Sequence, residues 1–354
     1  MESGTSSAKI GFEESLSATV IKLGKCLGCG ACVVACPFGC LTYSNEEPIL
    51  AKECKVCSIC PKVCAQYNLS LSELEKTTFG RQRHDGEDFG IYRRLVVAQA
   101  KDSEVLRVAQ DGGVVTALLL FALEKGLIDG AIVSGVSKEK HLSPVPELAI
   151  TAKEILENSG TRYFYSPNVL ALAEGVRQKK KSMAFVGTPC QIRALRKMQT
   201  AGLKKYTDSV RLLIGLMCSE CFIYEGLLEK HLCGKLRLNL KDISRMNIKG
   251  KMLVTTKTET QAVPLSEVKQ YARSKCKFCG DFSSELADIS VGGLGLNKWT
   301  FTIIRTQRGE DLFSDAEKAG VIKTRDVNEE VNALNLLRRL SDKKKQNATS
   351  QLTV

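Results

Sequence analysis

Fifteen cysteines set the chemistry open to this chain, at positions 26, 29, 32, 36, 40, 54, 57, 60, 64, 190, 218, 221, 233, 276 and 279. Nine of them fall within the 39 residues from Cys26 to Cys64. The first run, Cys26-Leu-Gly-Cys29-Gly-Ala-Cys32-Val-Val-Ala-Cys36-Pro37, has the spacing C-x2-C-x2-C-x3-C-P. The second, Cys54-Lys-Val-Cys57-Ser-Ile-Cys60-Pro-Lys-Val-Cys64, repeats that spacing. An odd cysteine total cannot pair fully into disulfides, and three histidines supply little for a His-based site. Three closely spaced thiolates can wrap three irons of one cubane, and a fourth beyond a short helix start reaches the other cube. This assigns Cys26, Cys29, Cys32 and Cys64 to one 4Fe–4S cluster, and Cys54, Cys57, Cys60 and Cys36 to a second. Structural zinc, held by paired C-x2-C hooks, fits two such consecutive runs less well.

The spacing is that of bacterial two-cluster ferredoxins. One departure is that Ala65 follows Cys64, whereas Pro61 follows Cys60, which bears on loop geometry. Cys40 reads as a packed thiol. Of the remaining cysteines, Cys190 lies in GTPC, Cys218 in GLMC, and Cys276 and Cys279 in SKCKFCGDF. Strand ends and turns on one sheet edge can converge, so Cys190, Cys218, Cys276 and Cys279 are candidates for a third cluster. Buried cysteine is also a common core residue, and spacing alone leaves both readings open. Cys221 and Cys233 read as core thiols, with Cys221 a competitor of Cys218.

No G-x-G-x-x-G follows a strand and no G-x-x-x-x-G-K-[ST] occurs, so a Rossmann or P-loop nucleotide site is not supported. Two helix starts can offer amides to an anion: Asp111-Gly112-Gly113 and Gly187-Thr188-Pro189. The plainer reading is that these glycines only make tight turns.

Elements that must position these groups follow from hydrophobic runs. In the cysteine-rich part, residues 17–23, 41–43 and 48–50 read as strands. Further on, residues 95–100, 128–134, 182–186, 210–217, 287–292 and 299–306 read as strands. Helices are expected over 112–125, 190–199, 222–232 and 331–340. The organisation expected is a flexible segment 1–16, a two-cluster ferredoxin module 17–75, a linker 76–92, a large α/β domain 93–325, and a C-terminal helix with basic tail 326–354. The fold class is α+β: a bacterial-type ferredoxin module followed by an α/β domain. The net charge is +12, and Lys179–Lys181 and Lys343–Lys345 read as solvated helix ends. No aromatic-interleaved basic motif supports nucleic-acid binding. No stretch has the length of a membrane span or the core of a signal peptide, so a secreted or integral membrane protein is not expected.

DGGVVTALL, GTPCQIRAL, GLMC and CKFCGDFSSELADISVGG together resemble the coenzyme F420 hydrogenase/dehydrogenase β-subunit family, over about residues 90–325. A chain with the ferredoxin module in front is similar to the electron-input subunit of F420H2 dehydrogenases. The resemblance implies an oxidoreductase of methanogenic, archaeal type, with FAD bound by residues 93–325 outside any Rossmann fingerprint. It implies a 4Fe–4S cluster on Cys190, Cys218, Cys276 and Cys279, three clusters in all, and a reduced 5-deazaflavin, coenzyme F420, as substrate. Gly112, Gly113, Thr116, Gly187, Thr188 and Pro189 fall on its flavin-side motifs. Asp281, Phe282, Glu285, Asp288 and Ser290 fall on its C-terminal signature, and 159–163 (SGTRY) also looks family-like. The implied reaction is hydride transfer from F420H2 to FAD, then single electrons through the clusters to a partner subunit or ferredoxin. The alternatives are the β subunit of an F420-dependent formate dehydrogenase or hydrogenase, with flow reversed, or a flavin-free electron-transfer subunit. The implied location is cytoplasmic, with any membrane attachment peripheral and through a partner complex. A basic mouth would attract the coenzyme's phosphate and glutamate tail.

Overall fold

The computed structural model describes residues 9–351. Its N-terminal part is built around the two cysteine runs. Glu13–Ile21 is a π-helical segment (α1), and with Phe12 before it places Phe12, Leu16 and Val20 in the core. Their spacing of four lines up one helix face, which overturns the strand expected over 17–23. Of the segment 1–16 expected to be flexible, residues 1–8 lie outside the described residues, while Phe12, Ser15 and Leu16 are buried. Ala31–Ala35 (α2) and Ile59–Val63 (α3) are short helices, one per cysteine run. Leu41–Ser44 (β1) and Glu47–Leu50 (β2) form an antiparallel hairpin between them.

The large domain centres on an eight-stranded sheet. Its first strands are Arg94–Ala100 (β3), Gly130–Val136 (β4), Pro144–Ala149 (β5), Met183–Gly187 (β6) and Val210–Leu216 (β7). A separate antiparallel sheet follows: Arg245–Ile248 (β8), Met252–Thr255 (β9) and Thr260–Val263 (β10). Ile289–Gly292 (β11), Thr300–Ile304 (β12) and Ile322–Arg325 (β13) return to the large sheet. The order is β13-β3-β12-β11-β7-β6-β4-β5. Strands β11, β7, β6 and β4 are mutually parallel, and the flanking pairs are antiparallel. No residue of β6 or β12 is exposed, as expected of strands covered on both faces. Pro144 and Pro146 sit on edge strand β5, where a missing ladder donor is tolerated.

Helices Val114–Glu124 (α4), Pro189–Thr200 (α5), Gln307–Lys318 (α7) and Val331–Ser350 (α8) pack on the large sheet, while the π-helical Glu225–Lys235 (α6) packs on the small one. Helix α5 packs on both α2 and α3, so one core runs from Leu27, Ala31 and Val63 of the module to Phe185, Ile192 and Leu195 of the large domain. The expected linker is also engaged, since Phe89 and Ile91 are buried and Arg83 pairs with Glu75 and Glu285. Helix α8 is continuous through Ser350, so most of the stretch expected as a polar tail is helical; residues 352–354 lie outside the described residues. Among the described residues no helix is long and apolar enough to cross a membrane.

Candidate redox sites

The two short helices explain how each cysteine run serves two sites. Each begins just before the third cysteine of its run and ends at the fourth, Cys36 or Cys64, whose backbone turns extended. The fourth thiol is thereby carried away from its own run. Cys26, Cys29, Cys32 and Cys64 line one cavity with Leu16, Val20 and Gln66. Cys36, Cys54, Cys57 and Cys60 line another, with Phe12, Phe38 and Cys40. The fold thus brings Cys64 to the first run's cavity and Cys36 to the second run's. Among the described residues no three His, Cys, Asp or Glu side chains close on a single metal ion. Four sulfurs around a cavity suit a cubane, whose irons occupy separate corners.

The electrostatics of these thiols fit such a group. Burial pushes Cys26 up to about 11 and Cys60 up to about 12, and neighbouring thiols add to each. Burial and then crowding by Cys64 raise Cys29, and burial and then Cys29 raise Cys32. Packed thiols of this kind give up protons readily only to a metal centre.

Left-handed turns shape the first run at Gly28 and Gly30, with φ of 74° and 80°. A Cβ on Gly28 would lie 2.6 Å from the Glu46 carbonyl, and one on Gly30 would lie 2.7 Å from Leu170. The matching positions of the second run are Val56 and Ser58, and they too have positive φ, 47° and 61°. Those conformations are costly for side-chain-bearing residues, most of all for a β-branched one.

The third set assembles from separate parts of the large domain. Cys190 sits in the first turn of α5, and Cys218 follows β7. Cys276 lies in the 3-10 turn Ser274–Phe278, and Cys279 caps it. Burial, then Cys279, Cys218 and Cys276, push Cys190 up to about 12. Cys221 joins the set, its thiol hydrogen-bonded to both Cys218 and Cys276. That bond, aided by the Arg273 guanidinium and Lys344, brings Cys276 down to about 6 despite its burial. Five thiols therefore gather here, and only Cys233 stands apart, on α6.

The three thiol sets adjoin one another. Cys29 interacts with Cys190 across the module boundary, and Cys32 with Cys60 within the module. At that boundary Arg273 lies 3.8 Å over the Tyr165 ring, donates to Glu46 at 2.7 Å and approaches Cys276 Sγ at 3.9 Å. Tyr165 Oη and Arg273 Nη2 are both buried without a hydrogen-bond partner. Cys190 and Cys29 both act on Tyr165. Two unused donors between two thiol sites suit the acceptor sulfurs of clusters. Sequence reading missed both residues. The basic residue three places before Cys276 was a usable signal for Arg273.

The carboxyl ends of the parallel strands, the usual ligand position in such sheets, gather a further group of residues. Gly187-Thr188-Pro189 ends β6 there, Met217 follows β7, and Gly293 follows β11. Asp111 abuts Gly293, and Gly113 caps the N-terminus of α4. Thr116 Oγ1 bonds Ser159 Oγ at 2.9 Å, so the 159–163 segment joins the same group. Arg162 is half-buried there: its Nη1 donates to the Ser159 carbonyl at 3.0 Å, and its buried Nε has no partner among the described residues. Arg245 donates to the Ala109 and Gln110 carbonyls, clipping the small sheet onto this loop. Arg245 and Lys249 both act on Asp111, although burial holds its carboxyl above the usual range. A guanidinium whose Nε is unpartnered, the amides opening α4 and two more cations suit a phosphate-bearing ligand. Gly112 has a packing reason as well: a Cβ would lie 2.6 Å from the Ala98 carbonyl.

Asp281, Glu285 and Asp288 stand elsewhere, in an interior ionic network. Asp288 accepts from Arg196 Nη2 at 3.0 Å, Thr306 Oγ1 at 2.8 Å and the Leu213 amide at 2.7 Å. Glu285 pairs with Arg83 at 2.6 Å and Lys345 at 3.1 Å. Asp281 accepts from the Glu285 amide, and burial and then Glu285 raise its carboxyl. Phe282 is buried, and Ser290 accepts from Arg305 Nε at 2.7 Å.

Three stretches match known family models. Residues 19–42 match a 4Fe-4S binding domain. Residues 95–173 and 180–330 match the N-terminal and C-terminal parts of the coenzyme F420 hydrogenase/dehydrogenase β subunit. The chain is 39% identical to the β subunit of the coenzyme F420 hydrogenase of Methanothermobacter thermautotrophicus over 268 residues, covering 74% of this chain and 95% of that protein. It is 31% identical to a subunit of the F420H2 dehydrogenase of Methanosarcina mazei over 312 residues, covering 84% of this chain and 83% of that one. Among solved structures, a chain of the F420-reducing [NiFe] hydrogenase complex from Methanosarcina barkeri superposes with a TM-score of 0.72 at 34% identity. The superposition covers 76% of this chain and 94% of that one. With a ferredoxin-type domain in front, this chain belongs to the coenzyme F420 hydrogenase/dehydrogenase β-subunit family.

Proposed function

We propose that the protein oxidises reduced coenzyme F420, passing hydride to FAD and then single electrons through three 4Fe–4S clusters to a partner subunit. What supports this reading is that three thiol sets adjoin one another, the third at the sheet's carboxyl edge where β6 leads into Cys190. Bound FAD supplies the change from a hydride pair to single electrons, which neither a 5-deazaflavin nor a 4Fe–4S cluster makes alone.

The chain's own residues bind, orient and tune. Arg162 and the amides opening α4 would hold the FAD pyrophosphate, while Thr116 fixes the 159–163 segment by its bond to Ser159. Arg245 and Lys249 face the coenzyme's phosphate and glutamate tail. Gly187-Thr188-Pro189 leads straight into Cys190 and so joins the sheet's carboxyl edge to the third site. Tyr165 and Arg273 donate their unused hydrogen-bond capacity across the boundary between the third site and the first. The site lined by Cys36, Cys54, Cys57 and Cys60 is the exit. Beside it Phe38 and Val56 are 54% and 40% exposed, an apolar corner for the electron acceptor.

The protein prepared without oxygen and supplied with FAD is expected to oxidise reduced coenzyme F420 when a viologen dye accepts the electrons. Dye reduction that needs the clusters but proceeds without flavin would contradict this reading and favour a plain electron-transfer subunit. No turnover with flavin and clusters bound would contradict the choice of substrate.

A further inference from the structure

The C-terminal helix lies outside the matched family segments, which end at residue 330. Its first half is anchored by Ala333 and Leu337 in a core with Phe89, Phe282 and Phe301. Its second half runs over the loops that carry the third thiol set. Gly280, next to Cys279, is the contact point: a Cβ there would lie 3.3 Å from Ala348 Cβ and 3.9 Å from the Lys345 Cα. Two consecutive lysines fix the helix to those loops. Lys344 Nζ donates to the Ser219 carbonyl and, at 3.4 Å, to the Cys276 carbonyl. Lys345 Nζ donates to the Asp88 carbonyl and pairs with Glu285 at 3.1 Å. Helix α8 therefore ties together the loops after β7 and around Cys276–Gly280, with the buried carboxylate beyond them.

Other charges also surround this site. Arg193 and Arg273 are cations, and Asp281 and Glu220 are anions. Lys344 differs in acting on Cys218, Cys276 and Cys279 together, from an element no other thiol site uses. A run of three lysines at a chain end reads as solvated, and Lys343 is indeed exposed. Its neighbour Lys344 is turned inward by the helix.

We infer that α8 is a lid over the third cluster site, and that Lys344 raises the reduction potential of the cluster held there. A 4Fe–4S cluster that takes up one electron gains one unit of negative charge. A fixed cation against the loops carrying three of its thiolates lowers the energy of the reduced form more than that of the oxidised form. The lid also withholds water, which strengthens that effect. The cluster at the sheet's carboxyl edge becomes the better first acceptor for single electrons.

This inference rests on reading Cys190, Cys218, Cys276 and Cys279 as one cluster site, and the test separates the two. The full chain, purified without oxygen, is titrated electrochemically while its clusters are followed by electron paramagnetic resonance. Absence of a third cluster in the unaltered chain would overturn the site reading itself. With three clusters present, Lys344→Gln is expected to move one midpoint to a more negative potential and leave the other two in place. Lys344→Arg is expected to keep the unaltered value, and so is Lys343→Gln, which removes the same charge from the exposed neighbour. An unmoved midpoint in Lys344→Gln, or an equal shift in Lys343→Gln, would overturn the inference. Should Lys344→Gln lose that cluster, its retention in Lys344→Arg supports the inference, and its loss in both contradicts it.

Discussion

The module's thiol sites and the third site reach similar arrangements by different routes. In the module, the eight candidate ligand cysteines lie within 39 residues, and two short helices carry each run's last thiol across to the other site. The third set spans Cys190 to Cys279 and is gathered by the ends of β6 and β7 and by a loop that α8 holds down. A local site is encoded by spacing. An assembled site is encoded by the sheet, so its surroundings matter as much as its ligands. A smaller contrast lies inside the module, where Gly28 and Gly30 take left-handed turns freely while Val56 and Ser58 take the same turns with side chains.

The sharpest break between the two kinds of site comes from Cys279→Ala. Iron is expected to fall from about twelve to about eight atoms per chain, with the module's signals unchanged. Unchanged iron would remove Cys279 from the ligand set. Next in size is the junction. Arg273→Met removes a buried guanidinium that pairs with Glu46 and stacks on Tyr165. A loss of roughly 2–4 kcal/mol in unfolding free energy is expected, measured by denaturant titration without oxygen. A loss below about 0.5 kcal/mol would mean the module is held by apolar packing alone.

The contrast within the module predicts opposite signs. Gly30→Ala forces a Cβ against Leu170 at a left-handed position and should cost roughly 1–3 kcal/mol. Val56→Gly relieves a β-branched residue at φ 47° and should gain about 0.5–1 kcal/mol. Equal signs in thermal unfolding would sink the pairing of these turns. The smallest effect is electrostatic. The Arg81 guanidinium, donating at 2.6 Å, holds Glu87 down to about 2 from an ordinary 4.5. A carboxylate lowered on folding adds stability above its unfolded value and loses it as pH falls through the folded one. The protein should lose that increment between about pH 4.5 and 2, and Arg81→Gln should flatten the loss.

The module was legible because its chemistry depends on neighbours in the chain. The α/β core was legible from runs such as residues 182–186 and 210–217, whose apolar continuity matches strands covered on both faces. Helix α1 was not, since Phe12, Leu16 and Val20 are scattered through a Ser- and Glu-rich segment that hides their common face. Asp281, Glu285 and Asp288 stood out as a signature, yet a sequence does not reveal which acids meet Arg83, Arg196 and Lys345 in the interior. The inward turn of Lys344 depends on the helical register of α8 against Gly280, which no run of three lysines discloses.

The serial relay is tested most directly by mixing the FAD-loaded protein with reduced coenzyme F420 without oxygen, freezing samples at successive times and reading flavin and cluster states. The account predicts oxidised coenzyme and flavin bleaching first, then reduction of the Cys190 site, then of the module's clusters. In Cys279→Ala the flavin should still bleach while the module's clusters stay oxidised. Module clusters reduced at an undiminished rate in that variant would contradict the relay.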